Sequence, residues 1–279
     1  MLSAQFIKDT WTTLANGRDD ITVEFFNHPT NVTPQPSVIL TIQGTTLPNE
    51  IVVLGGHQDS IVSGSSTGTA PGADDDASGI ASLTEVIRVI SESNFRPERT
   101  VKFMAYAAEE VGLRGSNDIA TNFRNNNANV VGVLQLDMTN YKGSPTADFA
   151  FESDSRFSNV PQTDFMKSLV TTYLPTLTYT NSACNYGCSD HASWHNKGYP
   201  ASFPFEAPFG QHNNQIHTGN DTIARSSNNA NHAVKFSKLG IAYVGELAKG
   251  MIPPAVPENR TKFDFDGDHK TDVSIFRPS

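Results

Sequence analysis

EIVVLGGHQDS, at residues 50–60, has the character of a buried β-strand that runs into polar residues. The run IVVL is apolar and rich in β-branched residues, as in a strand covered on both faces. A helical apolar period follows in SGIASLTEVIRVISES (78–93), with Leu83, Val86, Ile87 and Ile90 on one face. Three other runs resemble the first: SVILTIQG (37–44), TVKFMAYA (100–107) and VVGVLQLDM (130–138). The sequence therefore predicts an α/β sheet with helices on both faces.

Polar side chains stand where these predicted strands end. His57 follows the strand at 50–57, Glu109 and Glu110 follow the strand at 100–107, and Asp137 closes the last. Functional groups of open α/β sheets gather at the carboxyl ends of strands. His217, in a late loop, adds a second imidazole. Such a set suits two metal ions bridged by a carboxylate and a water.

An aspartate triplet adds to this set. The segment APGADDDASGIA (70–81) places Asp74, Asp75 and Asp76 side by side. A solvated acidic turn is the ordinary interpretation, but like charges become tolerable when a divalent cation neutralises them. Asp59, two residues after His57, is close enough for its carboxylate to accept the second ring N–H of a metal-bound imidazole.

The composition excludes several functions. The 279 residues include 20 Lys+Arg and 29 Asp+Glu, and the net charge of −9 disfavours binding to nucleic acid. No apolar run approaches the roughly 20 residues of a membrane span, and the first residues show no export signal. The length allows one substantial core plus an appendage.

Cys184 and Cys188 are the only cysteines, in the segment NSACNYGCSD. The pair could be a disulfide, half of a metal site or two free thiols. We favour the disulfide, which predicts a secreted or periplasmic protein.

Seven ordered motifs resemble those of the bacterial leucyl aminopeptidases, which are secreted di-zinc exopeptidases. The motifs are LGGHQDS, APGADDDASGIA, AYAAEEVGLRGS, QLDMTNYKG, CSDHASWHNKGYP, PFE and IHTGNDT, and the resemblance runs from about residue 51 to residue 249. It implies a three-layer zinc-exopeptidase fold with a mixed, mostly parallel central sheet. It also implies a cis peptide bond between Asp75 and Asp76 and a truncated N-terminus, so that an export signal would lie upstream.

The resemblance assigns roles to residues of this chain. It implies that two Zn²⁺ ions are held by His57, Asp75, Glu110, Asp137 and His217. Asp75 would bridge the ions and Glu109 would be the general base that acts on a bridging water, while Tyr186 is a candidate partner for the developing oxyanion. It implies a pocket for the first substrate side chain lined by Met138, Cys184, Cys188, Phe205, Phe209 and Ile216. Phe203, beside this pocket, departs from the family pattern.

HASWH places His191 and His195 four residues apart, the spacing of H-E-x-x-H metalloproteases. The central Glu is missing and neither position is a ligand in the resembling family. We expect both histidines to make structural hydrogen bonds, and Trp194 and Tyr199 to be packing residues.

The C-terminal part differs in composition. Residues 251–261 are Pro-rich and are predicted to form a linker after a catalytic domain at residues 1–250. Residues 262–279 resemble one unit of a calcium-loop repeat, with Gly267 permitting the sharp turn. The carboxylates expected to hold Ca²⁺ there are Asp264, Asp266, Asp268 and Asp272.

These observations predict an aminopeptidase that hydrolyses the first peptide bond of peptides with a free amino terminus and a large apolar first residue. The protein is expected to be a monomer, with no nucleic-acid or membrane partner. One alternative is a related di-zinc carboxypeptidase or amidase on the same core. Another is an inactive calcium-binding adhesive module.

Overall fold

A computed structural model describes residues 2–65 and 68–252, which contain eleven strands and six α-helices. The strands are β1 (Ile21–Phe26), β2 (Ser37–Ile42), β3 (Leu47–His57), β4 (Arg96–Pro97), β5 (Arg99–Tyr106), β6 (Asn129–Gln135), β7 (Phe149–Glu152), β8 (Tyr179–Ser182), β9 (Ala201–Ser202), β10 (Pro204–Phe205) and β11 (Gly250–Met251). The helices are α1 (Leu2–Ala15), α2 (Ala77–Glu92), α3 (Arg114–Asn125), α4 (Val160–Tyr173), α5 (His191–Asn196) and α6 (Ala233–Leu247). None of these described helices has the length and apolarity needed to cross a membrane.

The central sheet has six strands in the order β1-β2-β5-β3-β6-β9. The pairs β1–β2 and β2–β5 are antiparallel, whereas β5–β3, β3–β6 and β6–β9 are parallel. The four strands predicted from the sequence correspond to β2, β3, β5 and β6. The predicted α/β fold with a mixed, mostly parallel sheet is therefore confirmed.

Helices cover both faces of this sheet, which gives three layers. On one face, α1, α2, α4 and α6 contribute Trp11, Leu83, Met166 and Phe236 to the larger core cluster. On the other face, α3 and α5 contribute Ile119 and Trp194 to a second cluster. The four apolar residues predicted to share one face of α2 are all buried: Leu83, Val86, Ile87 and Ile90. Apolar burial on both sides explains the apolar runs at residues 51–54 of β3 and 130–134 of β6.

The start of α2 is fixed by Asp76. Its Oδ1 accepts a hydrogen bond from the backbone amide of Gly79, so Asp76 caps the helix. The same carboxylate accepts from the backbone amides of His57 at 2.9 Å and Met138 at 3.2 Å. A Cβ atom at Gly79 would lie 2.3 Å from both Asp76 Oδ1 and the carbonyl oxygen of Leu136. Gly79 therefore permits the close packing of α2 against the ends of β3 and β6.

A smaller sheet, ordered β10-β7-β8, stands beside the carboxyl ends of the parallel strands. Ala150 and Phe205 of this sheet form a third apolar cluster with Met138, which follows β6, and with Phe203, which lies between β9 and β10. The two-residue strand β11 pairs with β4, which ties Met251 to Arg96. The small sheet and the edge of the central sheet together enclose the space in which the site lies.

Candidate metal centre and substrate pocket

The five predicted metal ligands come from separate segments and meet at the carboxyl ends of the central strands. His57 ends β3, Glu110 and Asp137 follow β5 and β6, Asp75 precedes α2, and His217 lies in the loop after β10. The potential ligand atoms of these five residues fall into two groups, and within each group they lie within 4.8 Å of one another. The groups are His57, Asp75 and Asp137, and Asp75, Glu110 and His217. Only Asp75 belongs to both of them.

The two carboxylate oxygens of Asp75 face different imidazole rings. Its Oδ1 lies 3.0 Å from Nε2 of His57, and its Oδ2 lies 3.1 Å from Nε2 of His217. Each imidazole faces a second carboxylate: Nε2 of His57 is 3.6 Å from Oδ1 of Asp137, and Nε2 of His217 is 2.8 Å from Oε2 of Glu110. A carboxylate with one oxygen in each group is what a bridge between two metal ions requires.

Three potential ligand atoms are buried and have no hydrogen-bond partner among the described residues: Nε2 of His57, Oε1 of Glu110 and Oδ1 of Asp137. The approach of His57 to Asp75 at 3.0 Å does not have hydrogen-bond geometry. Buried polar atoms that lack partners cost free energy, so such atoms indicate an unmet ligand. Imidazole nitrogen and carboxylate oxygen are typical zinc donors. The donor set therefore fits divalent metal ions.

The carboxylates raise the proton affinity of both imidazoles. Burial alone lowers the pKa of His57, but the charge of Asp137 and the polar contacts of Asp137, Asp59 and Asp75 outweigh it and raise that pKa. Hydrogen bonds to Asp75 and Glu110 raise the pKa of His217 to about 10. A divalent cation would compete with protons at both positions, because a histidine ligand must be neutral.

The aspartate triplet has three different functions within one buried turn. Asp75 faces the imidazoles, whereas Asp76 caps α2. Asp74 accepts a hydrogen bond from the backbone amide of Asn140, and burial raises its pKa to about 6. The peptide bond between Asp75 and Asp76 is cis, as the resemblance implies. All three carboxyl groups are buried, so the solvated acidic turn is excluded.

Asp59 differs from the prediction in how it supports His57. Its backbone carbonyl oxygen lies 3.0 Å from Nδ1 of His57, whereas its Oδ1 is 3.7 Å away. The carboxylate instead accepts from the backbone amides of Glu109 at 3.1 Å and Glu110 at 3.2 Å. A carbonyl can only accept, so Nδ1 carries the hydrogen and Nε2 presents its lone pair to the metal group.

Glu109 and Glu110 point to different parts of the site, as expected for neighbours at a strand end. Glu110 reaches His217, while Glu109 lines the cavity beside both groups. Burial raises the pKa of Glu109 to about 10, with the His57 charge acting in the opposite direction. Bound cations would lower this pKa towards the range in which a carboxylate acts as a general base.

A cavity of about 260 Å³ opens next to the two groups. Tyr186 and Phe203 line this cavity. So do all six predicted pocket residues, which are Met138, Cys184, Cys188, Phe205, Phe209 and Ile216. Cys184 and Cys188 form a disulfide with an S–S distance of 2.09 Å, which confirms that prediction. Tyr186 is 55% exposed at the rim of the cavity. Partial burial of its side chain and the charge of Glu109 raise the pKa of its hydroxyl. Its hydroxyl therefore stays protonated and can donate a hydrogen bond.

Comparison with known proteins identifies the family. The sequence model of peptidase family M28 matches residues 37–242, which include both groups and the pocket. The chain belongs to peptidase family M28. The resemblance inferred from the seven motifs is therefore confirmed as membership of a peptidase family, while its bacterial and secreted aspects stay predictions.

Relatives of this M28 chain include two named aminopeptidases. It is 37% identical over 235 residues to the probable aminopeptidase YDR415C of Saccharomyces cerevisiae, covering 82% of this chain and 61% of that protein. It is 40% identical over 234 residues to leucine aminopeptidase 1 of Ajellomyces capsulatus, and the match covers 81% of this chain and 59% of that protein. The chain thus spans about three fifths of the length of these relatives.

Solved structures agree with this family. The Legionella pneumophila LapA aminopeptidase superposes on 88% of this M28 chain with a TM-score of 0.78 and 34% identity, and 64% of that chain is covered. LapB of the same organism gives a TM-score of 0.79 at 34% identity, covering 89% of this chain and 65% of that one.

Several residues that support the M28 site were missed at the sequence level. Ser189 donates a 2.6 Å hydrogen bond to Oδ2 of Asp137 and receives one from Nε2 of Gln135. Asp221 accepts from the backbone amide of Asp75 at 3.1 Å, and Asn213 donates to Asp221 at 3.0 Å. Ser189 and Asp221 lie in the motifs CSDHASWHNKGYP and IHTGNDT. The order of the motifs indicates that these segments meet in the fold. It does not indicate which hydroxyl or carboxylate forms a hydrogen bond with a predicted metal ligand.

His191 corrects another expectation for this M28 chain. It is fully buried, and neither ring nitrogen has a hydrogen-bond partner among the described residues, so the expected structural hydrogen bonding is absent. Its ring instead stacks on Phe203, with the centroids 4.9 Å apart. Burial lowers the pKa of His191 to about 3, which keeps the ring neutral. Trp194 is a packing residue, as expected, and donates from Nε1 to the Tyr106 hydroxyl.

The predicted calcium ligands lie outside the described residues. They are Asp264, Asp266, Asp268 and Asp272, and most of the predicted linker at residues 251–261 lies there too.

Proposed function

We propose that this chain is a metallo-aminopeptidase that removes a large apolar residue from the amino terminus of a peptide. One observation carries the proposal: two groups of metal-ligand residues share Asp75 and stand beside a cavity of about 260 Å³ that is lined partly by apolar side chains. A partly apolar cavity directly beside the metal-ligand residues suits the side chain of a substrate residue next to the scissile bond. The similarity to named aminopeptidases supports the same activity.

His57, Asp75, Glu110, Asp137 and His217 would hold two Zn²⁺ ions. When bound, zinc polarises the scissile carbonyl and lowers the pKa of water. Glu109 accepts the proton of the attacking water, whose oxygen forms the new bond to the carbonyl carbon. As the C–N bond breaks, Glu109 returns that proton to the leaving amine.

Tyr186 and Asp59 would assist from two sides. Tyr186 is placed at the rim of the cavity, where its protonated hydroxyl can donate to the developing oxyanion. Asp59 holds the backbone at Glu109 and Glu110, and its carbonyl fixes the ring of His57. Both arrangements are set before substrate arrives, so they require little reorganisation during the reaction.

The test is the dependence on a free amino group. Leu-p-nitroanilide and its N-acetylated form are compared as substrates of the zinc-loaded protein. We expect hydrolysis of the free form only. Equal rates would exclude an aminopeptidase and favour a di-zinc amidase, while cleavage from the carboxyl end of a peptide would indicate a carboxypeptidase.

A second part of the proposal concerns the C-terminus. Asp264, Asp266, Asp268 and Asp272 would bind one Ca²⁺ in a small unit at residues 262–279, joined by the linker at 251–261 to the catalytic domain at 1–250. An inactive calcium-binding adhesive module would bind Ca²⁺ without any zinc-dependent turnover, so the p-nitroanilide assay separates the two functions.

The disulfide supports an extracytoplasmic location, because such bonds persist in oxidising compartments. We propose a secreted or periplasmic monomer that acts on peptides. Sedimentation of the purified protein tests the monomeric state, and fractionation of the producing cells tests the location.

A further inference from the structure

The pocket for the first substrate residue contains a carboxylate that the metal centre does not use. Glu152, the last residue of β7, lines the cavity together with Ser182 and Phe205. It is 4% exposed, and burial raises its pKa. A buried carboxylate beside aromatic side chains is costly unless it is paired.

Hydrogen bonds satisfy only part of this carboxylate. Its Oε1 accepts from the backbone amide of Asp154, and its Oε2 accepts from the backbone amide of Cys184, both at 2.8 Å. A carboxylate has about four acceptor sites, so these two hydrogen bonds leave acceptor capacity on Glu152. Among the described residues, no Lys, Arg or His lies within ion-pair distance of Glu152.

The rest of the pocket suits a long side chain with an apolar stem. Phe205 and Phe209 form one wall, and the disulfide of Cys184 and Cys188 forms another. Lys and Arg bury their methylene stems against apolar surface while the charged group finds a polar partner. Ser182 adds a hydroxyl beside Glu152, and its Oγ already accepts from the backbone amide of Phe209.

We propose that Glu152 determines specificity and makes the pocket favour a first residue with a cationic side chain, lysine or arginine, over a neutral side chain of the same length. The cationic group would pair with Glu152 and compensate for its burial. Apolar residues would still be accepted through contacts with the aromatic wall. This inference rests on the proposed aminopeptidase function, because it concerns the first residue of the substrate.

The experiment compares lysine with norleucine, which has a side chain of similar length and no charge. Binding of L-lysine and L-norleucine to the zinc-loaded protein is measured by calorimetry, and kcat/KM is measured for the two p-nitroanilides. We expect lysine to be favoured about tenfold or more in both, since a hydrogen bond to a charged group contributes at least this much. This comparison in the unmodified protein requires no variant to fold.

Glu152→Gln has nearly the same shape and removes the charge. We expect its lysine-to-norleucine ratio to fall towards one, mainly through a higher KM for lysine p-nitroanilide. Asp164→Asn is the matched control, because Asp164 lines a neighbouring cavity that Glu152 also borders and is not among the residues that line the pocket. Its ratio should stay at the unmodified value.

Three results would overturn the inference: equal affinity for the two amino acids, no binding of either, or a ratio unchanged in Glu152→Gln. An equal loss of activity on both substrates would assign Glu152 a structural role only. Failure to hydrolyse either p-nitroanilide would refute the proposed function instead. The binding of L-lysine and L-norleucine would then still test whether Glu152 favours a cationic side chain.

Discussion

The carboxylate of Asp59 accepts a hydrogen bond from the backbone amide of Glu109 at 3.1 Å. Asp59 also places its carbonyl against His57, so one residue ties the segment after β3 to the segment after β5. The first segment carries a potential metal ligand and the second carries the candidate base. Their relative position therefore depends on local hydrogen bonds as well as on the parallel pairing of β3 with β5.

Glu109→Gln tests the role of the base. We expect activity on Leu-p-nitroanilide to fall by about 10²–10⁴-fold with metal content unchanged, because the amide cannot accept the proton of water. Metal analysis by mass spectrometry and steady-state kinetics check both points. Glu110→Gln should lose metal as well as activity; loss of metal in Glu109→Gln would mean that the two roles are exchanged.

Single substitutions in the two groups test the number of metal ions. His57→Ala and His217→Ala should each lose about one of two bound zinc ions, while Asp75→Asn should weaken both sites because Asp75 belongs to both groups. Zinc per chain after dialysis is the measurement. His195→Ala is the control and should keep both ions, whereas loss of zinc there would indicate a ligand in HASWH.

His191 should make the fold sensitive to acid. A histidine in the unfolded chain has a pKa of about 6.5, whereas burial lowers the pKa of His191 in the fold to about 3. Between these values the unfolded chain binds a proton that the folded chain excludes. Stability is therefore lost as pH falls from about 6.5 towards 3, by up to about 1.4 kcal/mol per pH unit, and is unaffected above 6.5.

His191→Phe keeps an aromatic ring against Phe203 and removes this proton. Denaturant unfolding between pH 4 and 7, at roughly one-unit steps, should show a shallower pH dependence in the variant. The two proteins are compared at each pH, so titration of other groups cancels. Parallel curves would show that His191 does not contribute.

Truncation tests the domain organisation. Because β11 pairs Met251 with Arg96, the cut belongs after Ile252 and not after Gly250. We expect the shortened chain to keep its peptidase activity and zinc content and to lose Ca²⁺ binding measured by calorimetry. A large loss of activity or zinc would place residues 253–279 within the catalytic fold, and equal Ca²⁺ binding would refute the calcium loop.

The sequence predicts the positions of ligands better than the contacts that orient them. His57 and Asp137 could be assigned to one edge because strand ends meet there in any parallel sheet. The contact between Asp59 and His57 could not, since a spacing of two residues is compatible with an approach by either the carbonyl or the carboxylate. That choice depends on the amides of Glu109 and Glu110, which are about fifty residues away in the chain.

The surroundings of two buried side chains could not be predicted from the sequence either. The spacing of His191 and His195 indicates a shared helix face, but not that Phe203 would cover the ring of His191. Glu152 is similar: a Glu at the end of a strand has no sequence signal that separates a surface position from a pocket wall. Both depend on where the small sheet packs, and this is set by long-range pairing of β7 with β8 and β10.

The last residues of the two metal-ligand groups lie at different points along the chain. The ribosome therefore finishes the ligands of one group before those of the other. His57, Asp75 and Asp137 all lie in the first half of the sequence, whereas the second group requires His217. A growing polypeptide therefore carries every ligand of the first group well before the last ligand of the second has been made. Because His217 comes so late, a nascent chain that stalls before it could hold at most one complete ligand group, and the paired centre can arise only after translation has passed that residue.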